Sequence, residues 1–553
     1  MTDTEQGQIL PPGKQAGVCL HITSLPGPYG IGEIGQAAKD FIAAMGRMRL
    51  GVWQFLPVGP TAYGDSPYQP LSTFAGNEML IDVRDLIAKG FLTEEEAEPL
   101  TRLPDDFVDY GALIPAKSRL LRLAASRFED NADEALKMAC DAFVAEHDQA
   151  WLHDYALYRI LKTEHGEKPW PEWESKYVHR KPKAMRELEQ RADAEIADIK
   201  VIQFLFHYQW YELRRYANEH GVRLFGDMPI CIALDSADAW AHPEILNIDR
   251  NGKPEAVAGV PPDYFSEDGQ LWGNPLYDWD MHAANNYEWW VDRLRAAADL
   301  ADMVRIDHFR GFEAYWSVPA QSETAKTGSW EPGPGDAIFD AMQNALGSLP
   351  IVAENLGVIT PEVESLRARF NIPGMIVLQF DVADEDFDLY GVAENNVCYT
   401  GTHDNDTTVG WFHGSPGDIR TPAEIEKTRQ AALQITGGTL ETIHEDMIRA
   451  AFSTDARLAI DPEGIFMAMH WGQFDGFVAA RGGEAGGPLE DAFSLGPGFR
   501  GSAVAALGES EFVITWSEYA FHGDEGPPVG DVQLRRHAVD GSALGAEVKV
   551  SDT

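Results

Sequence analysis

Four acidic residues follow short apolar runs in this chain. Asp227 follows Arg223–Phe225, Asp307 follows Met303–Ile306, Glu354 follows Ile351–Ala353, and Asp404 lies a short turn beyond Val397–Tyr399. If these runs are parallel strands of one barrel, all four carboxylates converge on its C-terminal rim, where barrel enzymes build their active sites. Converging carboxylates without nearby cysteine, in a chain with 15 Trp, 17 Tyr and 26 Phe, fit glycoside chemistry. One carboxylic acid protonates a leaving oxygen while another attacks carbon or stabilises an oxocarbenium ion. Two plainer readings compete. An acid at a strand end often caps the next helix, and a group of acids can hold magnesium or calcium. Repetition at four strand ends weighs against capping. The local sequences lack a compact Asp/Asn-rich chelating loop, which weighs against the metal.

The elements that must position these acids are eight short apolar runs: Val18–Ile22, Val52–Pro57, Val222–Phe225, Met303–Ile306, Ile351–Ala353, Met375–Phe380, Val397–Tyr399 and Arg457–Ile460. Each is bounded by Gly, Pro or polar residues and lacks the alternation of a half-exposed sheet, as expected of parallel strands buried on both faces. With helical stretches between them they predict a (β/α)₈ TIM barrel. The gap between the second and third runs is too long for a barrel loop. Its Leu121, Ala124, Ala125 and Phe128 keep helical spacing, so a mostly helical insertion is expected at about 81–215. Residues 1–470 then read as the catalytic barrel, and 471–553 as a divergent C-terminal segment with a β-like run at Phe512–Trp516.

The chain has 553 residues, and its 44 Lys and Arg against 88 Asp and Glu give a formal charge of −44. That balance argues against binding nucleic-acid phosphates or an anionic membrane surface. It describes a self-repelling, soluble surface. The N-terminal residues lack the basic and apolar pattern of a secretory signal, and no apolar run is long enough for a transmembrane helix. Cys19, Cys140, Cys231 and Cys398 are far apart and form no paired motif, so buried reduced thiols in a cytoplasmic protein are expected.

Eight segments, in order, carry a family resemblance. They are GVCLHITSLPGPYGIGEIG near the start, GDSPYQPLSTFAGNEML at 64–80, FGDMPI at 225–230 and AGVPPDYFSEDGQLWGNPLYDW at 258–279. VRIDHFRGF at 304–312, VAENLGVIT at 352–360, GMIVLQFD at 374–381 and TGTHDNDTTVGW at 400–411 complete the set. Over roughly residues 17 to 465 the chain resembles the amylomaltases, 4-α-glucanotransferases of glycoside hydrolase family seventy-seven in the α-amylase superfamily. The resemblance implies Asp307 as nucleophile, Glu354 as general acid/base and Asp404 as transition-state stabiliser. It also implies sugar-site roles for Arg305, His403, Asp227, Tyr68 and Trp272. Arg305, two residues before Asp307 on one strand, faces the same way and can align it. Trp272 is expected on a mobile loop, Ala258–Asn274, that covers the donor strand.

The implied reaction moves α-1,4-glucan segments between glucans by retaining double displacement, with no metal or cofactor, and α-1,4-glucans are the expected partners. A retaining α-glucan hydrolase and a catalytically weak glucan-binding protein are the alternatives. Two departures from the family pattern stand out. Asn355 occupies a position commonly held by Asp, and the family's C-terminal Asn-x-Pro-Gly element is not recognisable after about Gly472.

Overall fold

The computed structural model describes residues 9–462, except 12, 63, 263–265, 416–417 and 441, and beyond 462 only six β-strands between Val478 and Ser551. All eight apolar runs fall on strands. These are β1 (Gln15–Cys19), β2 (Leu50–Gln54), β3 (Arg223–Pro229), β4 (Met303–Asp307), β5 (Ile351–Ala353), β6 (Gly374–Val377), β7 (Asn396–Tyr399) and β8 (Leu458–Asp461). They form one parallel sheet in the order β6-β7-β8-β1-β2-β3-β4-β5. The Ala353 N–H donates to the Pro373 carbonyl at 2.8 Å, bringing β5 to the chain that enters β6 and nearly closing the barrel.

Successive strand residues face opposite ways, and the core divides accordingly. Cys19, Val52, Phe225, Met303, Val352 and Val397 fill the barrel interior. Val18, Trp53, Leu224, Val304 and Ile351 face outward into the layer shared with the helices. Both sets are buried, which is why the runs read as continuous apolar stretches. The same parity carries the interior line from Phe225 to Asp227, from Met303 through Arg305 to Asp307, and from Val352 to Glu354.

Some predicted ends move. β1 begins three residues earlier than expected because Gln15 to Val18 pair with Leu458 to Asp461. β3 runs on to Pro229, so Asp227 sits inside the strand and not beyond its end. The two ends of Ala258–Asn274 pair as strands of a hairpin where a loop was expected. Ala256–Val260 pairs antiparallel with Gln270–Pro275 and with Ala314–Pro319, in a four-stranded sheet completed by Ser329–Pro332. Gly259 permits the pairing, since a Cβ there would lie 2.4 Å from the Gln270 carbonyl oxygen.

The segment between β2 and β3 is mostly helical. Its last helix, Asp193–Glu219, spans 27 residues without interruption and passes through position 215. Ile196, near its start, joins a satellite core with Tyr155, Tyr158 and Trp170. Trp210 and Leu213, near its end, pack in the main core, and the Trp210 indole N–H donates to the Leu300 carbonyl at 2.8 Å. One helix thus ties the insertion to the barrel. A buried ion pair adds a second tie, with Lys117 on Tyr110–Ser126 meeting Glu33 and donating to the Met79 carbonyl at 2.8 Å.

Cys19, Cys140 and Cys398 are buried and Cys231 half-buried, all four unpaired. Burial pushes each thiol up to about 12, the behaviour of inert small hydrophobes. In the C-terminal segment the predicted run Phe512–Trp516 lies in a strand, Glu511–Tyr519, paired antiparallel with Arg500–Ala506 and Gly530–Ala538.

Candidate active site

Strand register builds the centre of the site. Asp227 on β3 and Arg305 on β4 are Cα partners, so their inward side chains lie side by side. Arg305 donates through Nη1 to both Asp227 oxygens, at 2.9 and 2.8 Å, and through Nη2 to Asp307 Oδ1 at 2.8 Å. The guanidinium fork suits such a task because its donors are fixed in one plane. Arg305 and Asp227 are buried, whereas the Asp307 side chain stays 31% exposed at the rim. Arg305 therefore orients Asp307 from below and leaves it open to a ligand.

Glu354 follows the last residue of β5 and is buried. Its Oε2 accepts from the His308 N–H and its Oε1 from the Leu356 N–H, both at 2.7 Å. Burial, reinforced by the negative charge of Asp307 and moderated by Arg305, pushes its carboxyl up to about 7. A carboxyl so placed carries a proton near neutral pH and can give it up when the local charge changes.

A second limb reaches in from two loops. The Tyr68 hydroxyl donates to Asp227 Oδ2 at 2.7 Å and lies 2.6 Å from His403 Nε2, with the two ring planes 9° apart. Burial pushes the Tyr68 hydroxyl well above its usual value. His403 Nε2 lies 3.2 Å from Asp404 Oδ2, and Asp404 is 71% exposed. The turn that carries both is pinned by Asn405, whose Oδ1 accepts from the Thr402 N–H and hydroxyl, each at 2.8 Å. Asp227, Arg305, Asp307, Tyr68 and His403 thus form one hydrogen-bonded chain, with Glu354 coupled to it through charge. Asp404 joins only through His403. Trp272, half-buried on the hairpin, meets the cluster through His308, edge to face at a ring separation of 4.8 Å.

His308 escaped the sequence reading although it sits within VRIDHFRGF. Its backbone is left-handed at φ 55°, a conformation uncommon outside glycine. That turn delivers its N–H to Glu354. Burial lowers the imidazole to about 4, and its Nε2 has no hydrogen-bond partner among the described residues. Asn355, noted only as a departure, also has a defined place. It donates to Glu364 Oε1 at 2.9 Å and accepts from the Met375 N–H at 2.8 Å, so it bridges the end of β5 to β6. An aspartate could make the second contact but not the first.

A family profile described as 4-alpha-glucanotransferase matches residues 20–463, most of the chain. The chain belongs to that family. The 4-alpha-glucanotransferase of Thermus thermophilus is 45% identical over 455 residues, covering 81% of this chain and 89% of the relative. That of a Synechocystis species is 44% identical over 458 residues, covering 81% and 88%. Among solved structures, an amylomaltase from Streptococcus agalactiae in complex with acarbose superposes with a TM-score of 0.76 at 36% identity, covering 81% of this chain and 89% of the other. An amylomaltase from Corynebacterium glutamicum, at 19% identity and a TM-score of 0.68, shares the fold over 81% of this chain and 67% of its own length. The activity is glucan transfer. The profile match ends at 463, close to where the family's C-terminal element ceased to be legible.

Proposed function

We propose that the rim cluster carries out a retaining transfer of α-1,4-glucan segments, with Asp307 as nucleophile, Glu354 as acid/base and Asp404 as a hydroxyl-gripping stabiliser. The observation that carries this reading is the pairing of two carboxyls in opposite roles. Glu354 is buried, held by two backbone N–H groups and pushed up to about 7. Asp307 is open to ligand and aligned by Arg305. Glu354 protonates the glycosidic oxygen while Asp307 attacks the anomeric carbon and the donor bond breaks. An acceptor 4-hydroxyl then loses its proton to Glu354, attacks the glucosyl-enzyme and frees Asp307. Two inversions give net retention.

The remaining roles follow from position. Arg305 and Asp227 are positioning residues, since both are buried and occupied by each other. Tyr68 and His403 offer a flat wall and hydroxyl-directed nitrogen beside the exposed Asp404, and acarbose bound to the Streptococcus agalactiae relative supports a sugar site of this kind. Trp272 on its hairpin screens the glucosyl-enzyme from water. Residues 1–470 act as the catalytic barrel, and no role is assigned to 471–553. The unpaired cysteines favour the cytoplasm as its compartment, and no helix among the described residues is long and apolar enough to cross a membrane. Product analysis on maltotriose tests the proposal. Transfer yields glucose together with glucans longer than maltotriose, whereas products no longer than maltotriose would make the site hydrolytic.

A further inference from the structure

A cleft of about 400 Å³ lies away from the catalytic carboxylates, between the helical insertion and the outer face of the barrel. Its volume falls within the roughly 300–1,000 Å³ of small-molecule sites. Aromatic rings succeed one another along it. Phe74 lies 15° from parallel with Trp151 at 6.5 Å and edge-on to Trp289 at 6.1 Å. Trp151 and Tyr211 each lie 6.0 Å from the ring of His207.

The polar groups of the wall are unusual. His207, 6% exposed, has no hydrogen-bond partner among the described residues on either ring nitrogen. The Trp289 indole N–H and His282 Nε2 are likewise buried without partners. Burial keeps both imidazoles neutral at pH 7, lowering them to about 3 and about 4. At the mouth, the side chains of Glu146 and Glu288 find no hydrogen-bond or salt-bridge partner among the described residues, and Tyr211 is 41% exposed. A buried polar group without a partner costs free energy, so the wall favours an occupant that both donates and accepts. A fully protonated polyamine would suit the rings and carboxylates but could not accept from an indole N–H. A hydroxyl does both, and a pyranose adds an apolar face that stacks on aromatic rings.

We propose that this cleft is a non-catalytic binding site for α-1,4-glucan, holding one stretch of a long chain while another occupies the barrel rim. Phe74, six residues beyond Tyr68, also lines a smaller cavity that reaches Asp227, so the cleft backs onto the loop that supplies the catalytic site. The inference rests on the chain's glucan-transfer activity but not on the roles given to individual carboxylates.

The test uses the full chain. In Glu354→Gln, calorimetry with maltoheptaose should give two sites, and in Glu354→Gln with Tyr211→Ala and Glu288→Ala it should give one. In the otherwise wild-type enzyme, Tyr211→Ala with Glu288→Ala should raise KM for amylose about threefold or more and leave kcat and the maltotriose parameters unchanged. Both replaced side chains are exposed, and an unchanged melting temperature verifies the fold. A single maltoheptaose site in both inactive proteins would overturn the proposal. So would equal changes on amylose and maltotriose, or spermidine binding that the double replacement abolishes while maltoheptaose stoichiometry holds.

Discussion

Two buried ionic clusters in this molecule are built on different charge balances. Where the insertion meets the N-terminal segment, Lys117 faces Glu33, one cation to one anion, with the Met79 carbonyl taking a further ammonium proton. At the barrel rim Arg305 faces Asp227 and Asp307, and Glu354 lies within reach of their field. The first cluster is matched and has no opening to a ligand. The second holds three carboxyls against one guanidinium, and the surplus charge is relieved by a proton kept on Glu354. Both buried glutamates are pushed up to about 7. The one at the matched pair fastens two parts of the fold, whereas the one at the unbalanced rim lies beside the part-exposed Asp307, where a ligand can take its proton. The cost of the second arrangement in stability is accepted where chemistry needs it.

The largest predicted effect removes the rim's reacting groups. Asp307→Asn and Glu354→Gln should each lower turnover by three orders of magnitude or more, about 1.4 kcal/mol of barrier per tenfold, with melting temperature at or above wild type. Steady-state kinetics beside calorimetry checks this, and near-normal turnover in either variant would dissolve the contrast between the clusters.

At the matched pair, Lys117→Met should act on stability, leaving turnover of the folded enzyme intact. Stranding Glu33 should cost about 3–5 kcal/mol. Glu33 is pushed up to about 7 by burial, above its unfolded value of roughly 4.3. Stability tied to its proton is therefore full below about pH 4.3 and lost as pH rises to about 7. Without Lys117, whose charge holds the carboxyl down, the loss continues to higher pH. Denaturant unfolding should show a larger deficit at about pH 8.5 than at about pH 5.5, and adding Glu33→Leu should recover most of it. A deficit independent of pH would mean that packing, and not charge, makes this contact.

The stored proton should show itself in the pH profile. Turnover should decline above about pH 7, approaching tenfold per pH unit, as Glu354 loses the proton it must donate. A rate that stays flat to pH 9 would break the link between charge surplus and catalysis.

Smaller effects are expected at the edges of each region. Trp272→Ala should leave the carboxylates in place yet shift maltotriose turnover several-fold from transfer towards hydrolysis, read from the ratio of long products to hydrolytic sugar. If that ratio holds while both reactions fall together, the tryptophan only braces His308. Sodium chloride should raise the melting temperature by a few degrees by screening the acidic surface over about 10 Å at 0.1 M. The Lys117→Met deficit should barely respond to salt, because buried charges are poorly screened.

Much of this was legible in the sequence, for identifiable reasons. Strands buried on both faces leave unbroken apolar runs, so all eight could be found, and Asp307 and Glu354 followed from their ends. Strand ends were less legible. Gln15 and Ala16 look like loop residues yet pair in the sheet, while Leu20 and Ile22 are apolar because they pack beyond it. The hairpin around Trp272 read as a loop because its glycines and prolines signal turns, although Gly259 serves close strand pairing. Contacts made by backbone were invisible, above all the two N–H groups on Glu354. So was Lys117 with Glu33, since partners 84 residues apart leave no local pattern.

The seam between β5 and β6 has a mechanical consequence. Among the described residues these two strands share no ladder, and the gap is spanned by the Ala353 to Pro373 bond and the Asn355 carboxamide. A hoop with seven riveted joints and one buckle yields first at the buckle. Glu354 is the residue next to that buckle, so local opening there on warming should shift the proton donor before any strand is lost. Heat should then end the reaction at a lower temperature than it ends the fold, and removing the carboxamide with Asn355→Ala should widen that interval.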